Sequence, residues 1–294
     1  MSDTADSILL LGATGQVGHE LKRTLAPLGT IHAPGRDTVD LTTPDTLRRA
    51  VTEAQPALVV NAAAYTDVDG AEDEPSRAAQ INTEAPHVLA EAAREEEAWL
   101  VHYSTDYVFD GEACTPYSEE GDPSPVNVYG RTKRKGEKAL QAVGGRNVVL
   151  RTSWVYSNRR SNFLRTMLRL TDDHDSLTVV DDQIGGPTWA GWLAEVTATI
   201  AQRLLTTDDA SLRGLYHLSG TGQTSWYGFA QAIFAQFGRT GVEVEPVSTA
   251  AYPTPAPRPA YTVLDSTRAR SAFDVSLQTW TEQLARFRAR EERG

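Results

Sequence analysis

Apolar runs and helical periodicity alternate along the first half of the chain. Residues 8–11 form an apolar run with the length of a buried parallel strand, and Val17, Leu21 and Leu25 then recur at helical spacing. The alternation continues, with strands predicted at residues 30–33, 57–61, 99–103 and 147–150 and helices at residues 44–54 and 75–97. Strands that alternate with helices predict an α/β fold, a Rossmann-type doubly wound parallel sheet.

The pattern changes from about residue 156 onward. Residues 181–188 form a loop rich in turn residues, and four prolines keep residues 252–259 extended. Helices are predicted at residues 188–205 and 225–237, and a strand that rejoins the sheet at residues 214–218. We therefore expect a dinucleotide-binding domain and a smaller C-terminal substrate-binding domain, placed at residues 1–155 with 188–220 and at residues 156–187 with 221–294.

The composition excludes several classes of protein. A formal net charge of −11 disfavours nonspecific binding to nucleic acid, and the single cysteine, Cys114, excludes an internal disulfide and a cysteine-based zinc cluster. The polar N-terminus lacks the form of a signal peptide, and no apolar run approaches the ~18 residues of a membrane span. We expect a soluble, cytoplasmic protein with no membrane and no nucleic-acid partner.

Three glycines follow the first predicted strand. Gly12, Gly15 and Gly18 stand in a G-x-x-G-x-x-G spacing, rather than the more usual G-x-G-x-x-G, and a helix begins among them. Glycines let the backbone approach a pyrophosphate, whose charge then faces the helix N-terminus. The motif predicts a dinucleotide site, and a tight strand-to-helix turn without a ligand is the alternative.

Two later segments bear on the cofactor. Arg36 and Asp37 follow the second predicted strand, where NAD-specific enzymes usually carry an acidic residue for the ribose hydroxyls. Arg36 fits a 2′-phosphate, but a solvated loop arginine is the alternative, so the choice between NADPH and NADH stays open. The small residues at 62–64 let a nucleotide lie close to the backbone, and Asp40, ending a short strand-like segment, could accept a bond from an adenine amine.

A second signal lies at the other end of the same predicted domain. Tyr129 and Lys133 are four residues apart and project from one face of a helix, and Thr105 lies upstream at the end of a strand. The ammonium of Lys133 would lower the pKa of the phenol, which could pass a proton to a carbonyl oxygen held by Thr105. An exposed helix pair without chemistry is the alternative.

With these motifs in place, the chain resembles the extended short-chain dehydrogenase/reductases, and within them the dTDP-4-dehydrorhamnose reductases. The resemblance runs from about residue 8 to the end. It rests on Gly-Ala-Thr-Gly-Gln-Val-Gly at 12–18, Asn-Ala-Ala-Ala at 61–64, Tyr-Ser-Thr-Asp-Tyr-Val-Phe at 103–109, Arg-Thr-Ser-Trp-Val-Tyr at 151–156, Asp-Gln-Ile-Gly-Gly-Pro-Thr at 182–188 and Tyr-Pro-Thr-Pro-Ala-Pro-Arg-Pro at 252–259.

The resemblance implies NAD(P)H-dependent reduction of the C4 ketone of dTDP-6-deoxy-L-lyxo-4-hexulose to dTDP-L-rhamnose. Tyr129 would donate the proton, Lys133 would keep the phenol acidic and hold the nicotinamide ribose, and Thr105 would polarise the carbonyl. The cofactor-binding positions, including those suggested above by the residues themselves, are Gly12, Gly15, Gln16, Val17, Arg36, Asp40, Ala62, Ala63, Ala64, Tyr129 and Lys133. The positions near the sugar nucleotide are Thr66, Val68, Thr105, Trp154 and Arg258.

Other interpretations of the same residues remain. Trp154 is an ordinary core aromatic in one alternative, Arg258 a solvated arginine in another, and His102 and His217 are interpreted as core histidines. A dehydratase or epimerase of the superfamily is the rival enzyme, although a dehydratase usually carries Asp-Glu after the threonine and Tyr107 stands here instead. A regulatory subunit, like the β subunit of S-adenosylmethionine synthetase, is the rival from outside enzymes.

The resemblance also bears on metal and assembly. Some family members dimerise through Mg²⁺ held by carboxylates, so a homodimer and a Mg²⁺ site are allowed here. Glu291 and Glu292 are the candidate ligands, with a solvated acidic tail as the alternative.

Overall fold

The computed structural model describes residues 6–239 and 241–293. Its strands are β1 Asp6–Leu11, β2 Gly29–His32, β3 Leu58–Asn61, β4 Trp99–Thr105, β5 Arg146–Thr152, β6 Val155–Tyr156, β7 Ser176–Val180, β8 Ile184–Gly185, β9 Thr188–Trp189, β10 Gly214–His217, β11 Thr224–Ser225 and β12 Glu243–Val247.

The α-helices lie between these strands and after them. They are α1 Gln16–Leu25, α2 Pro44–Ala54, α3 Gly70–Asp73, α4 Pro75–Ala79, α5 Ala85–Glu95, α6 Val128–Val143, α7 Phe163–Asp173, α8 Ala190–Leu205, α9 Trp226–Phe237, α10 Thr267–Phe273 and α11 Trp280–Glu291. Short 3₁₀ turns occupy Ala26–Leu28, Asp106–Val108, Ala210–Leu212 and Thr249–Ala251.

The main sheet has the strand order β10-β5-β4-β3-β1-β2, and each neighbouring pair in it is parallel. The chain passes from β1 to β2 on one side and then crosses to β3 on the other side of β1. This reversal opens a crevice beyond the carboxyl ends of β1 and β3, where ligands of open α/β sheets bind. The predicted fold, a Rossmann-type doubly wound sheet, is confirmed.

Alternating side chains of β1 face two separate apolar clusters. Ile8 and Leu10 join the cluster that includes Leu21 of α1 and Leu193 of α8, while Leu9 packs into the cluster formed with α2 and α5. Successive strand side chains point to opposite faces, so a strand buried on both sides must be apolar throughout. The unbroken apolar run in the sequence has this cause.

The C-terminal elements pack onto one face of the sheet. β12 pairs in parallel with β7, β8 pairs with β11, and α9 packs on α7 and α11. Phe229, Ile233 and Phe287 belong to the same apolar cluster as Ile8 of the central sheet. The packing is continuous between the two predicted parts, so the division into domains stays a prediction.

Three predicted elements differ from the structure. The 75–97 helix contains a π turn at Gln80–Glu84 and ends at Glu95, and residues 188 and 189 form strand β9 rather than the start of a helix. The segment before Asp40 is turn rather than strand, because the backbone N–H groups of Thr38 and Val39 both donate to the carbonyl oxygen of Gly35. Among the described helices, none has both the length and the apolar character needed to cross a bilayer.

Candidate active site at the carboxyl edge of the sheet

A cavity of about 1350 Å³ lies at the crevice beyond β1 and β3. It is lined by residues from the glycine turn, from the ends of β3 and β4, from α6 and from the segment that precedes α7. The predicted site residues that line it are Gly12, Gly15, Gln16, Val17, Arg36, Asp40, Ala62, Ala63, Ala64, Thr66, Val68, Thr105, Tyr129, Lys133 and Trp154. The structure therefore brings together every predicted site residue except Arg258.

The glycines of the turn allow it to pack closely against the backbone at the end of β3. Gly12 has φ +80°, and a Cβ there would come within 2.7 Å of the backbone of Ala62 and Ala63. Gly15 caps α1 with no side-chain hydrogen bond, and the first turn carries no acidic residue. The unpaired N–H groups at this helix start suit an anion, so the turn fits the pyrophosphate of a dinucleotide.

Cations surround this part of the cavity although the chain is acidic overall. Lys22, Arg36, Arg77 and Arg160 all line the cavity. Arg77 pairs with Glu74 at 3.3 Å. The exposed Arg36 follows β2, where the ribose of a dinucleotide binds in this fold. The charge pattern fits a phosphorylated cofactor, and NAD(P)H suits both the turn and its surroundings.

Close backbone packing places the start of α6 beside the end of β4. Asn127 caps α6 by accepting from the N–H of Gly130 at 2.8 Å, and a Cβ on Gly130 would lie 2.1 Å from the carbonyl oxygen of Tyr107. This contact brings Tyr129 next to the 105–107 loop, where its ring meets that of Tyr107 edge to face at 5.9 Å. Tyr129 and Thr105 thereby reach the same wall of the cavity.

The π turn at Gln80–Glu84 supports α6 from behind. Asn82 donates to the hydroxyl of Thr132 at 3.2 Å, and the hydroxyl of Thr83 donates to the Thr132 carbonyl at 2.8 Å. A Cβ at Gly136 would lie 2.2 Å from the carbonyl oxygen of Asn82. Single π turns are frequent at functional sites. The helical pattern of residues 75–97 gave no sign of this one.

Lys133 is buried, with 2% of its surface exposed, and lacks a carboxylate in direct contact among the described residues. Its Nζ donates to the carbonyl oxygen of Tyr103 at 2.6 Å and lies 3.3 Å from Nε2 of His102. Burial lowers the pKa of Lys133 to about 8, while the charge of Glu137 acts in the opposite direction. The ammonium is therefore held near the cavity with little compensation.

The hydrogen bonds around His102 oppose a charged Lys133. The Asn61 side-chain oxygen accepts from the N–H of Ala63 at 3.1 Å, which turns the Asn61 amide nitrogen toward Nδ1 of His102. Nδ1 must then accept, so a neutral imidazole carries its proton on Nε2, facing the Nζ of Lys133. Burial and Lys133 both lower the pKa of His102 well below its ordinary value. The expectation of a core histidine is met, but this one contacts a site residue.

The expected acidification of Tyr129 is wrong for this structure. Burial raises the pKa of Tyr129 to about 12, and the charge of Asp106 raises it further. The lysine fails to lower the phenol's pKa because it is bonded to the Tyr103 carbonyl and its own charge is disfavoured by burial. The phenol is therefore a protonated acid.

Asp106 forms a buried polar cluster behind Thr105. Its carboxylate accepts from the hydroxyls of Thr105 at 3.1 Å and Ser153 at 2.8 Å. Burial raises the pKa of Asp106 to about 6, while the hydrogen bonds from Ser153 and Thr105 act against that rise. Asp106 therefore orients the Thr105 hydroxyl by accepting its proton.

Aromatic side chains line the opposite wall of the cavity. Trp154 has φ +44° and its ring stacks on that of Trp226, with centroids 3.5 Å apart and planes 4° apart. The ring of Phe163 packs against that of Trp226, with centroids 4.5 Å apart. The Trp154 ring lies so close to Gly185 that a Cβ on that glycine would come within 2.4 Å of a ring atom. Trp154 is half-buried and faces the cavity, so it is not an ordinary core residue.

Arg258 lies outside the cavity lining. Its guanidinium pairs with the carboxylate of Asp69 at 2.9 Å, and the same Asp69 accepts from the N–H of Ala256. The proline-rich segment is thereby tied to the 67–70 turn. A role for Arg258 at the sugar nucleotide stays a prediction.

The candidate Mg²⁺ ligands have other partners. Glu291 accepts from the amide of Asn158 at 2.9 Å, and Glu292 pairs with Arg288 at 3.0 Å. No group of three or more potential metal ligands occurs within residues 6–239 and 241–293. These side chains give no support to a Mg²⁺ site.

Comparison with known proteins agrees with this geometry. The family model described as RmlD substrate binding domain matches residues 6–292. A dTDP-4-dehydrorhamnose reductase of Burkholderia thailandensis is 45% identical over 93% of this chain and 95% of its own length. A probable dTDP-4,6-dihydroxy-2-methyloxan-3-one 4-ketoreductase of Streptomyces antibioticus is 41% identical over 94% and 92%.

A solved structure is similar over nearly the whole chain. It is a dTDP-4-dehydrorhamnose reductase of Bacillus anthracis in complex with NADP, with a TM-score of 0.90 and 34% identity over 98% of this chain and 100% of that one. The resemblance drawn from the motifs is confirmed. This chain belongs to the RmlD substrate binding domain family, together with the dTDP-4-dehydrorhamnose reductases.

Proposed function

We propose that this protein is an NAD(P)H-dependent oxidoreductase that reduces the C4 ketone of dTDP-6-deoxy-L-lyxo-4-hexulose to dTDP-L-rhamnose. The observation that carries the proposal is the meeting of Thr105, Tyr129 and Lys133 with an open glycine turn at one cavity, in a chain of this family. The identity of the substrate is inferred from its relatives, which are named dTDP-4-dehydrorhamnose reductases.

The cofactor supplies a hydride when bound. The glycine turn and α1 hold its pyrophosphate, and Ala62 and Ala63 leave room for the nucleotide against the backbone. The Thr105 hydroxyl donates its one proton to Asp106 in this structure, and it turns that proton to the substrate carbonyl oxygen when the ketone is bound. Tyr129 gives its proton to the same oxygen as negative charge develops there.

A protonated Tyr129 suits the role of acid. Its pKa near 12 keeps the proton on the phenol at neutral pH, and the developing alkoxide is a stronger base than the phenolate. The phenolate left behind needs a nearby positive charge, and Lys133, the buried cation one turn further along α6, supplies it by turning its ammonium from the Tyr103 carbonyl toward the phenolate during the reaction.

We propose NADPH as the preferred cofactor. Arg36 supports this choice because it is exposed in the loop after β2 and lines the cavity, where a 2′-phosphate would meet it. The NADP complex of the relative from Bacillus anthracis also supports it. A cytoplasmic location and a homodimer stay predictions.

A different keto sugar is the second candidate. The relative from Streptomyces antibioticus, which is almost as similar, is a probable 4-ketoreductase of another dTDP-linked substrate. The Trp154–Trp226 stack and Phe163 give the cavity an apolar wall of fixed shape. That wall would discriminate between sugars that differ in ring substituents.

The test is cofactor oxidation with dTDP-6-deoxy-L-lyxo-4-hexulose, followed by the absorbance of the reduced nicotinamide and by identification of the sugar product. The Tyr129→Phe variant is expected to bind NADPH but lose about 10²–10⁴-fold in kcat, because it lacks the acid. Turnover that yields dTDP-L-rhamnose and is lost in the variant supports the proposal. Cofactor binding without turnover would redirect it to other keto sugars, or to the regulatory-subunit alternative. Turnover without net cofactor oxidation would favour an epimerase.

A further inference from the structure

Arg160 reaches the glycine turn from a distant part of the chain. Its Nε donates a hydrogen bond to the carbonyl oxygen of Thr14 at 3.1 Å, and Thr14 stands between Gly12 and Gly15. The two partners are 146 residues apart in sequence. A cation from the segment before α7 is therefore fixed over the turn that follows β1.

The backbone around Arg160 is held for this contact. Arg160 has φ +59°, in the left-handed region that disfavours residues with a side chain. The side-chain oxygen of Gln16, the first residue of α1, accepts from Ser157 and Asn162, each at 2.9 Å. Strain of this kind persists where surrounding contacts enforce it, and such places cluster at ligand sites.

The outer end of the guanidinium is unused. Within residues 6–239 and 241–293, Nη1 and Nη2 of Arg160 make no hydrogen bond or ion pair, while Nε is anchored on Thr14. Arg160 is exposed and lines the cavity beside Gly12 and Gly15. Two parallel N–H donors in a fixed fork match the geometry of a phosphate group.

We propose that Arg160 binds the pyrophosphate of the nicotinamide dinucleotide, opposite the N-terminus of α1. The inference rests on the proposed function and assigns a further cofactor-binding residue to it. The pyrophosphate is favoured over the 2′-phosphate because Arg160 contacts the glycine turn, whereas the 2′-phosphate position lies at the end of β2, beside Arg36.

The test compares the Arg160→Gly variant with a matched control. Glycine adopts the left-handed φ without strain, so the variant is expected to fold as well as the wild type in the absence of ligand. Arg159→Ala removes the same charge one residue earlier, at a position that is not among the residues lining the cavity. Dissociation constants of NADPH, NADH and reduced nicotinamide riboside are measured by nicotinamide fluorescence, and thermal unfolding is measured without ligand.

We expect Arg160→Gly to weaken NADPH and NADH equally, by about tenfold, as for loss of a charge-assisted hydrogen bond at an exposed site. Binding of the riboside, which has no phosphate, should be unchanged, as should the binding of all three ligands to Arg159→Ala. Weaker binding of NADPH alone would show that Arg160 contacts the 2′-phosphate, and it would overturn the proposal. Unchanged binding of both dinucleotides would also overturn it. A fall in ligand-free thermal stability, with weaker binding of all three ligands, would assign Arg160 a structural role only. A wild type that binds neither dinucleotide would overturn the proposed function, and this inference with it.

Discussion

Two buried charges on α6 lie one turn apart and have opposite surroundings. Glu137 is 3% exposed and accepts from Arg151 through two bonds of 2.7 and 2.8 Å, from Ser104 at 2.6 Å and from Arg134 at 2.8 Å. Lys133 is 2% exposed and has a carbonyl oxygen and an imidazole as its neighbours. The charge of Glu137 is therefore balanced by arginines in direct contact, whereas the charge of Lys133 has only uncharged neighbours within hydrogen-bond distance among the described residues.

The difference separates a structural charge from a functional one. Burial alone would raise the pKa of Glu137, but the hydrogen bonds and charge of Arg151, with those of Ser104 and Arg134, lower it overall. The pKa of Lys133 is lowered to about 8 because burial is not offset in the same way. The buried Glu137–Arg151 pair needs no further partner, whereas the poorly compensated ammonium of Lys133 is available to groups that enter the cavity.

The largest expected effect follows from removing Lys133. Lys133→Met should lower kcat by about 10²–10⁴-fold, because no cation then supports the phenolate of Tyr129. The free energy of unfolding should stay the same or rise, since a poorly compensated buried charge is lost while the side-chain volume is kept. Steady-state kinetics and urea unfolding measure the two effects. Marked destabilisation would show that Lys133 is also a structural residue.

Removing the charge of Glu137 should give the reverse pattern. Glu137→Gln is expected to lower the free energy of unfolding by about 3–5 kcal/mol, because the Arg151 guanidinium is left buried without its carboxylate. The turnover of the folded fraction should change far less than in Lys133→Met. Urea unfolding of the single variant and of Glu137→Gln combined with Arg151→Met checks this. The double variant should recover part of the loss, and no recovery would contradict the pairing.

The smallest expected effect is on the pH dependence of the free energy of unfolding, to which Lys133 and Glu137 contribute in different pH ranges. The pKa of Lys133 is about 8 in the fold and 10.5 as the ordinary value, so between these pH values the unfolded chain binds more protons and stability rises with pH. The buried ammonium of Lys133 destabilises the fold fully below about pH 8. As the pH rises and Lys133 loses its proton, the free energy of unfolding increases by up to about 3 kcal/mol, at 1.4 kcal/mol per pKa unit. The pKa of Glu137 lies below 4.5, so its stabilisation is present above that pH and is lost as the pH falls.

The difference in unfolding free energy between the wild type and Lys133→Met isolates the alkaline effect. Buried tyrosines such as Tyr103 and Tyr129, whose pKa values are raised, oppose the rise above about pH 10 in both proteins and cancel in this difference. A difference that stays flat between pH 8 and 10.5 would contradict the low pKa of Lys133. The corresponding difference for Glu137→Gln should shrink only in acid.

The sequence by itself determined the fold class and most of the site. The apolar run at residues 8–11 has the pattern of a strand buried on both faces, and the glycines at 12, 15 and 18 directly after it indicate a close backbone approach. Tyr129 and Lys133 share a helix face through local geometry alone. Such features depend on neighbours within a few residues, and local pattern therefore suffices to predict them.

Only the tertiary structure decided which charges are matched and which are exposed to the cavity. Arg151 reaches Glu137, His102 reaches Lys133, Asp69 takes Arg258 away from the cavity lining, and Arg160 lies over the glycine turn. These contacts join residues from 14 to 189 positions apart, and no spacing rule covers them. Burial also depends on the assembled fold. Desolvation therefore raised the pKa of Tyr129, although the sequence pattern predicted the opposite.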